Sequence, residues 1–176
     1  MREILATEGV GEFVYGVDAG SLEASLVSHL REKGLTLSCA ESCTGGLVAK
    51  RIVDISGCSD VFIGGAVTYA NEAKMRLLGV KKDTLDRFGA VSEQTAAEMA
   101  EGIRKALSTD LGISTTGIAG PGGGTPDKPV GTVFVAVASD AGVKVKRLSL
   151  SPMRDRDYIR YVSASNALHL ALKEIL

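Results

Sequence analysis

The chain contains no tryptophan, and aromatic residues make up only 5% of its 176 positions. With only four Phe and four Tyr, it is poor in the side chains on which nucleic-acid bases stack. It also lacks an excess of charge. Twenty Lys and Arg stand against 21 Asp and Glu, a formal net charge of -1, so there is no basic footprint for a phosphate backbone. No apolar run reaches the roughly 18 residues that a membrane span requires. The segment Met1 to Val10 carries Arg2, Glu3 and Glu8 where a secretion signal would carry its apolar stretch. Cysteine is scarce. Cys39, Cys43 and Cys58 are an odd set with no C-x-x-C pair, which argues against a disulfide framework or a zinc site and for a reducing cytoplasm. Of the two histidines, His29 and His169 both fall in helical patterns away from any loop motif. That supplies a Ser-His-Asp triad poorly.

Hydrophobic residues, at 45%, suffice for one domain with a sizeable core. Ser21 to Lys33 reads as a helix with Leu22, Leu26 and Leu30 on one face and Gly34 as its stop. Leu35 to Ala40 reads as a buried strand and Gly45 to Ile55 as a second helix. Val61 to Tyr69 is β-rich, and its Gly64-Gly65 pair marks a bulge or a close backbone approach. Helical periodicity returns over Asn71 to Leu78, Lys82 to Phe88, and from the cap Ser92 to Leu107. Leu111 to Ile118 is a strand, and Val130 to Ser139 with Val143 to Leu150 forms a hairpin turned near Asp140-Ala141-Gly142. Asp155 to Leu176 is a long helix with Ile159, Val162, Leu168, Leu172 and Leu176 as core positions. Strands alternating with helices imply an α/β domain, a three-layer α/β/α sandwich with a mixed sheet. Residues 1–20 are less regular, with Phe13-Val14-Tyr15 as an edge strand, so the domain proper is 21–176.

Three segments carry chemistry. Ala40-Glu41-Ser42-Cys43-Thr44-Gly45-Gly46 delivers a hydroxyl and a thiol from a strand to a helix start. Thr44 can cap that helix, and the N–H groups there can hold an anion or the oxyanion of acyl transfer. Ser42 is the leading nucleophile and Cys43 its rival, because thiols near helix N-termini ionise more readily. With histidine poorly placed, a buried neutral lysine is the alternative base. Lys74 is the candidate, at the junction Thr68-Tyr69-Ala70-Asn71-Glu72-Ala73. The second segment, Thr116-Gly117-Ile118-Ala119-Gly120-Pro121-Gly122-Gly123-Gly124, leads from a strand into four glycines within five residues. It is either a backbone phosphate cradle or a surface turn, and it is no Walker A loop, because no Gly-Lys-Ser/Thr follows. The third is Arg154-Asp155-Arg156-Asp157 at the last helix start, where an arginine can hold a phosphate bidentately.

These stretches, together with GAVSEQTAAEMAEG at 89–102, resemble the CinA C-terminal domain family over about residues 21–176. Members of that family include the bacterial nicotinamide-nucleotide amidases. The resemblance implies a three-layer fold and hydrolysis of nicotinamide mononucleotide to nicotinate mononucleotide and ammonia, with no metal or organic cofactor. It implies Ser42 as nucleophile, Lys74 as base and Tyr69 assisting. Substrate contacts would come from Cys43, Thr44, Gly45, Thr116, Gly120, Gly122, Gly123 and Arg156. Partners would be a small pyridine nucleotide and a second copy of the chain in a homo-oligomer, a dimer, with no nucleic acid and no membrane. One departure is visible: the family's Gly-Asp-Arg turn is replaced by Met153-Arg154-Asp155-Arg156, which leaves Arg154 as an alternative phosphate ligand. Gly11-Glu12-Phe13-Val14-Tyr15-Gly16 resembles the junction that precedes this domain in two-domain CinA proteins, whose first half is a nucleotide-hydrolase domain. Two other readings stand beside the amidase. One is a non-catalytic, regulatory nucleotide-binding module. The other is a DNA-processing role, which the neutral charge disfavours.

Overall fold

The computed structural model describes residues 20–176. The junction segment and its Phe13-Val14-Tyr15 strand lie outside the described residues. Helix α1 (Leu22–Lys33) starts where Ser21 Oγ accepts from the Ala24 N–H at 3.1 Å and stops at Gly34, whose φ of 65° is left-handed. Strand β1 (Leu37–Glu41) is buried throughout. Helix α2 (Leu47–Val53), a short 3-10 turn (Cys58–Asp60) and strand β2 (Phe62–Val67) follow. Next come α3 (Asn71–Leu78), α4 (Lys82–Phe88), α5 (Glu93–Ala106), β3 (Leu111–Gly117), the hairpin β4 (Thr132–Ser139) and β5 (Gly142–Ser149), and α6 (Arg156–Ile175).

The five strands form one sheet in the order β2-β1-β3-β4-β5. β1 runs parallel to both β2 and β3, while β3, β4 and β5 are antiparallel in turn. The sheet is therefore mixed, as expected. Helices α1, α2 and α6 pack one face around Leu26, Leu30, Ile52, Ile159, Leu168 and Leu172. Helices α3, α4 and α5 pack the other around Leu78, Leu85, Met99 and Ile103. Edge strand β5 carries Lys144, Lys146 and Arg147, charges that discourage edge pairing.

Two expectations are corrected here. Leu176 is 67% exposed and Val162 only half-buried. The buried face of α6 carries Ser163, Ala164, Ala167 and Ala171 besides its large residues, and a search for large apolar spacing passes over such small side chains. Thr44 does not cap α2. The N-cap is Gly46, which makes no side-chain cap bond, and the Thr44 hydroxyl lies 2.6 Å from that of Thr115. The Gly64-Gly65 expectation holds in both senses. The β1–β2 register shifts at Leu37/Ser38, and a Cβ on Gly65 would overlap Cys39 Sγ.

The connections create a crevice. The chain leaves β1 for α2 on one face and leaves the adjacent β2 for α3 on the other. Parallel neighbours whose loops part to opposite faces open a cleft at their carboxyl ends. Glu41 pairs in register with Val67 on one side and Thr115 on the other, so β1 and β2 finish level beneath that cleft while β3 runs two residues further to Gly117.

Candidate active site

Ser42 is the first residue beyond β1, and its N–H donates to Thr115 O at 2.9 Å, extending the ladder by one rung. The chain then turns sharply. Gly45 and Gly46 take φ values of 60° and 95°, a left-handed pair that only glycine adopts cheaply. Gly45 N–H donates to Ser42 O and Leu47 N–H to Thr44 O, at 3.2 and 3.3 Å. Among the described residues, the N–H groups of Cys43 and Thr44 have no oxygen partner. Both belong to buried residues, Cys43 at 5% and Thr44 at 0% exposure.

Lys74 comes from the opposite face. It sits one turn into α3 and is 1% exposed, while Ser42 is 9% exposed. Its Nζ lies 3.1 Å from Ser42 Oγ, 2.7 Å from Thr68 O and 3.3 Å from Tyr69 O. No ion pair involves Lys74 among the described residues. Burial without a carboxylate disfavours the ammonium form, and the Lys74 pKa falls below the ordinary 10.5.

Cys43 fits a nucleophile badly. Its thiol is buried, and burial pushes its pKa up to about 12. At neutral pH it is a protonated thiol, the opposite of what helix-terminus activation would give. The helix terminus is already occupied. The carboxylate of Glu41, itself 1% exposed, accepts from the Gly46, Val48 and Ala49 N–H groups at 2.9, 3.1 and 2.8 Å. The first turn of α2 therefore has no free N–H groups at these positions for a substrate anion.

The remaining predicted residues divide. Tyr69 meets Lys74 through its backbone carbonyl, while its side chain, 62% exposed, accepts at its hydroxyl from Arg156 Nη2 at 3.2 Å. Arg156 Nη1 donates to Gly120 O at 2.8 Å. The arginine thus ties the glycine loop to the tyrosine above the lysine. Arg154 points elsewhere and stacks 4.8 Å over the Tyr158 ring. Thr116 is buried, and its hydroxyl donates to Ala90 O at 2.6 Å. Gly120 and Gly124 are required by packing, because a Cβ on either would press Val130. Gly122 and Gly123 are exposed, with open space or only ordinary contact around them. The histidines stay out of the site: His29 Nδ1 bonds within its own helix to Ser25 O, and His169 lines a separate cavity with Glu23 and Arg51.

Three contributors escape the sequence reading. Glu41 had a signal, an acid between a strand and a helix start. Arg160 donates to Thr44 O from Nε and Nη2 at 3.2 and 2.7 Å, and its signal was the i,i+4 spacing from Arg156. Thr115, which holds both Thr44 and the Ser42 N–H, had none. Among the described residues, no cluster of His, Cys, Asp and Glu is placed to hold a metal ion.

Comparison with known proteins gives this arrangement a family. Residues 19–175 match the family model described as the CinA C-terminal domain. The chain belongs to the CinA family. A CinA-like protein of Kosmotoga olearia is 53% identical over 169 residues, covering 96% of this chain and 40% of that protein. This CinA domain thus spans about two-fifths of the curated relatives it matches. Among solved structures, a competence/damage inducible protein from Agrobacterium tumefaciens aligns with a TM-score of 0.84 at 40% identity, covering 91% of this chain and 98% of that one. A CinA superfamily protein from Escherichia coli aligns with a TM-score of 0.81 at 30% identity, covering 97% and 100%. The α/β fold of the CinA domain is thus that of its solved relatives.

Proposed function

We propose that this CinA domain is an amidohydrolase that converts nicotinamide mononucleotide to nicotinate mononucleotide and ammonia through a Ser42 acyl-enzyme. The observation that carries the reading is Lys74 Nζ, buried 3.1 Å from Ser42 Oγ with two carbonyls as its other neighbours. A neutral amine has two N–H groups and one lone pair. Thr68 O and Tyr69 O take the two N–H groups, which leaves the lone pair facing the serine hydroxyl. That is the geometry of a general base.

Ser42 Oγ attacks the amide carbon as its proton passes to Lys74. The carbonyl oxygen becomes an oxyanion, for which the Cys43 and Thr44 N–H groups, without an oxygen partner among the described residues, are the backbone candidates. Loss of such a donor costs about 100- to 1,000-fold in rate. The Lys74 ammonium returns its proton to the amine nitrogen, ammonia leaves, and an ester remains on Ser42. Water, deprotonated by the again neutral Lys74, hydrolyses that ester. Arg156, beside Gly120, is the candidate for the 5′-phosphate, whose binding energy would orient the distant amide. The working assembly in this reading is a homo-oligomer, a dimer, as the resemblance implies.

The test is ammonia release from nicotinamide mononucleotide by the wild-type chain and by Ser42→Ala. Release by wild type with loss in the variant, and with nucleotide binding retained, supports the reading. Binding without release by the folded wild type favours the non-catalytic nucleotide-binding module.

A further inference from the structure

Glu41 is a fully buried carboxylate that the chemistry above leaves unused. Its backbone belongs to β1, paired to Val67 and Thr115. Its side chain reaches forward over the turn. Oε2 accepts from Gly46 and Val48, and Oε1 from Ala49. The segment from Glu41 to Ala49 is therefore a closed arc, fixed to the sheet at one end and to its own first side chain at the other. Ser42, Cys43 and Thr44 lie inside it. Gly45 and Gly46 make the arc sharp but supply no stiffness. The stiffness comes from three charge-assisted bonds to a buried carboxylate. From outside, the arc is further held by Arg160 on Thr44 O.

We propose that Glu41 is the positioning residue of this site: its carboxylate closes the arc, holds Ser42 Oγ against Lys74 and aims the Cys43 and Thr44 N–H groups. The proposal rests on the amidase reading. It also explains why a buried carboxylate stands so close to the reacting centre without pairing Lys74. Its two oxygens are already engaged by the backbone.

Glu41→Gln is the decisive variant. The amide keeps the length but turns an N–H donor against backbone donors, so the arc loosens. A misplacement of this kind costs about 100-fold in kcat, while KM for nicotinamide mononucleotide stays near wild type because the phosphate contacts lie elsewhere. The pH inflection of kcat, which belongs to Lys74, stays in place. A fluorophosphonate probe, which modifies an activated serine without needing the substrate, should label Ser42 more slowly by the same order. If Glu41→Gln does not fold, Glu41→Asp, which shortens the reach, is measured in the same way. Unchanged kcat and labelling rate in the variant would overturn the proposal and leave the amidase standing, as would a loss confined to KM. Absence of ammonia release by wild type would sink the amidase reading instead. The labelling comparison then decides for Glu41 alone: slower labelling in the variant upholds it, and equal or absent labelling overturns it.

Discussion

Lys74 is among the largest fully buried side chains of the domain, and among the described residues no carboxylate pairs with it. Its lowered pKa has two measurable consequences. First, kcat rises with pH on an inflection below 10.5, as the amine becomes neutral, and a pH–rate profile locates it. Lys74→Arg, permanently charged, should abolish this limb and lower kcat by about 100- to 10,000-fold, the range of a lost general base. Second, the unfolded chain keeps the proton that the folded chain has lost between the folded pKa and 10.5. More protons are bound to the unfolded state in that window, so unfolding free energy rises with pH there. Lys74→Met should remove that rise, read as the difference between wild-type and variant denaturation curves across the window. At this scale, residue type narrowed the sequence candidates to Ser42 and Lys74, and the structure sets them 3.1 Å apart. The split role of Tyr69, which offers a carbonyl to Lys74 and a phenol to Arg156, was not. Which end of a residue acts depends on the local backbone path, which composition and spacing do not encode.

Helices, more than loops, place Lys74. α3 carries Lys74 and is wedged against α5, where Gly102 faces the Leu78 carbonyl. A Cβ at Gly102 would overlap that oxygen. Alanine in a helix interior normally gains about 1 kcal/mol over glycine, but the overlap is with backbone and α3 must shift to relieve it. Overpacking of this kind costs about 1–3 kcal/mol, so the clash wins. Gly102→Ala should lower both Tm and kcat, although it touches no reacting atom, and thermal melting with steady-state kinetics checks the pair. A lower Tm with unchanged kcat would mean that α3 absorbs the strain without moving Lys74. The boundaries of α3 and α4 were readable to the residue, because Gly79 and Gly89 close them. The start of α2 was not. Its cap is a carboxylate five residues earlier in the chain, outside the local window in which capping residues are sought.

For the whole molecule, the site is a product of strand order. Ser42 follows β1, Lys74 follows β2 on the opposite face, and Thr115 anchors the turn from β3. Alternating periodicity was enough to specify an α/β sandwich. It did not specify that β1 lies between β2 and β3, which is what brings residues 42, 74 and 115 together. That order is consistent with burial: β1 is buried at every position, its polar Ser38 and Glu41 included, and suits the sheet interior, while β5 with its lysines suits an edge. In the proposed mechanism, the nucleophile comes from the end of β1 and the base from α3 on one face of the sheet. The most direct measurement is the site of acylation. The wild-type chain is mixed with nicotinamide mononucleotide, quenched in acid and mapped by peptide mass spectrometry, with a parallel reaction in hydroxylamine to intercept any ester. The predicted result is a nicotinyl-nucleotide ester on Ser42 and a hydroxamate product in the parallel reaction. A thioester on Cys43, or ammonia release with Ser42 unmodified and no hydroxamate, would contradict it.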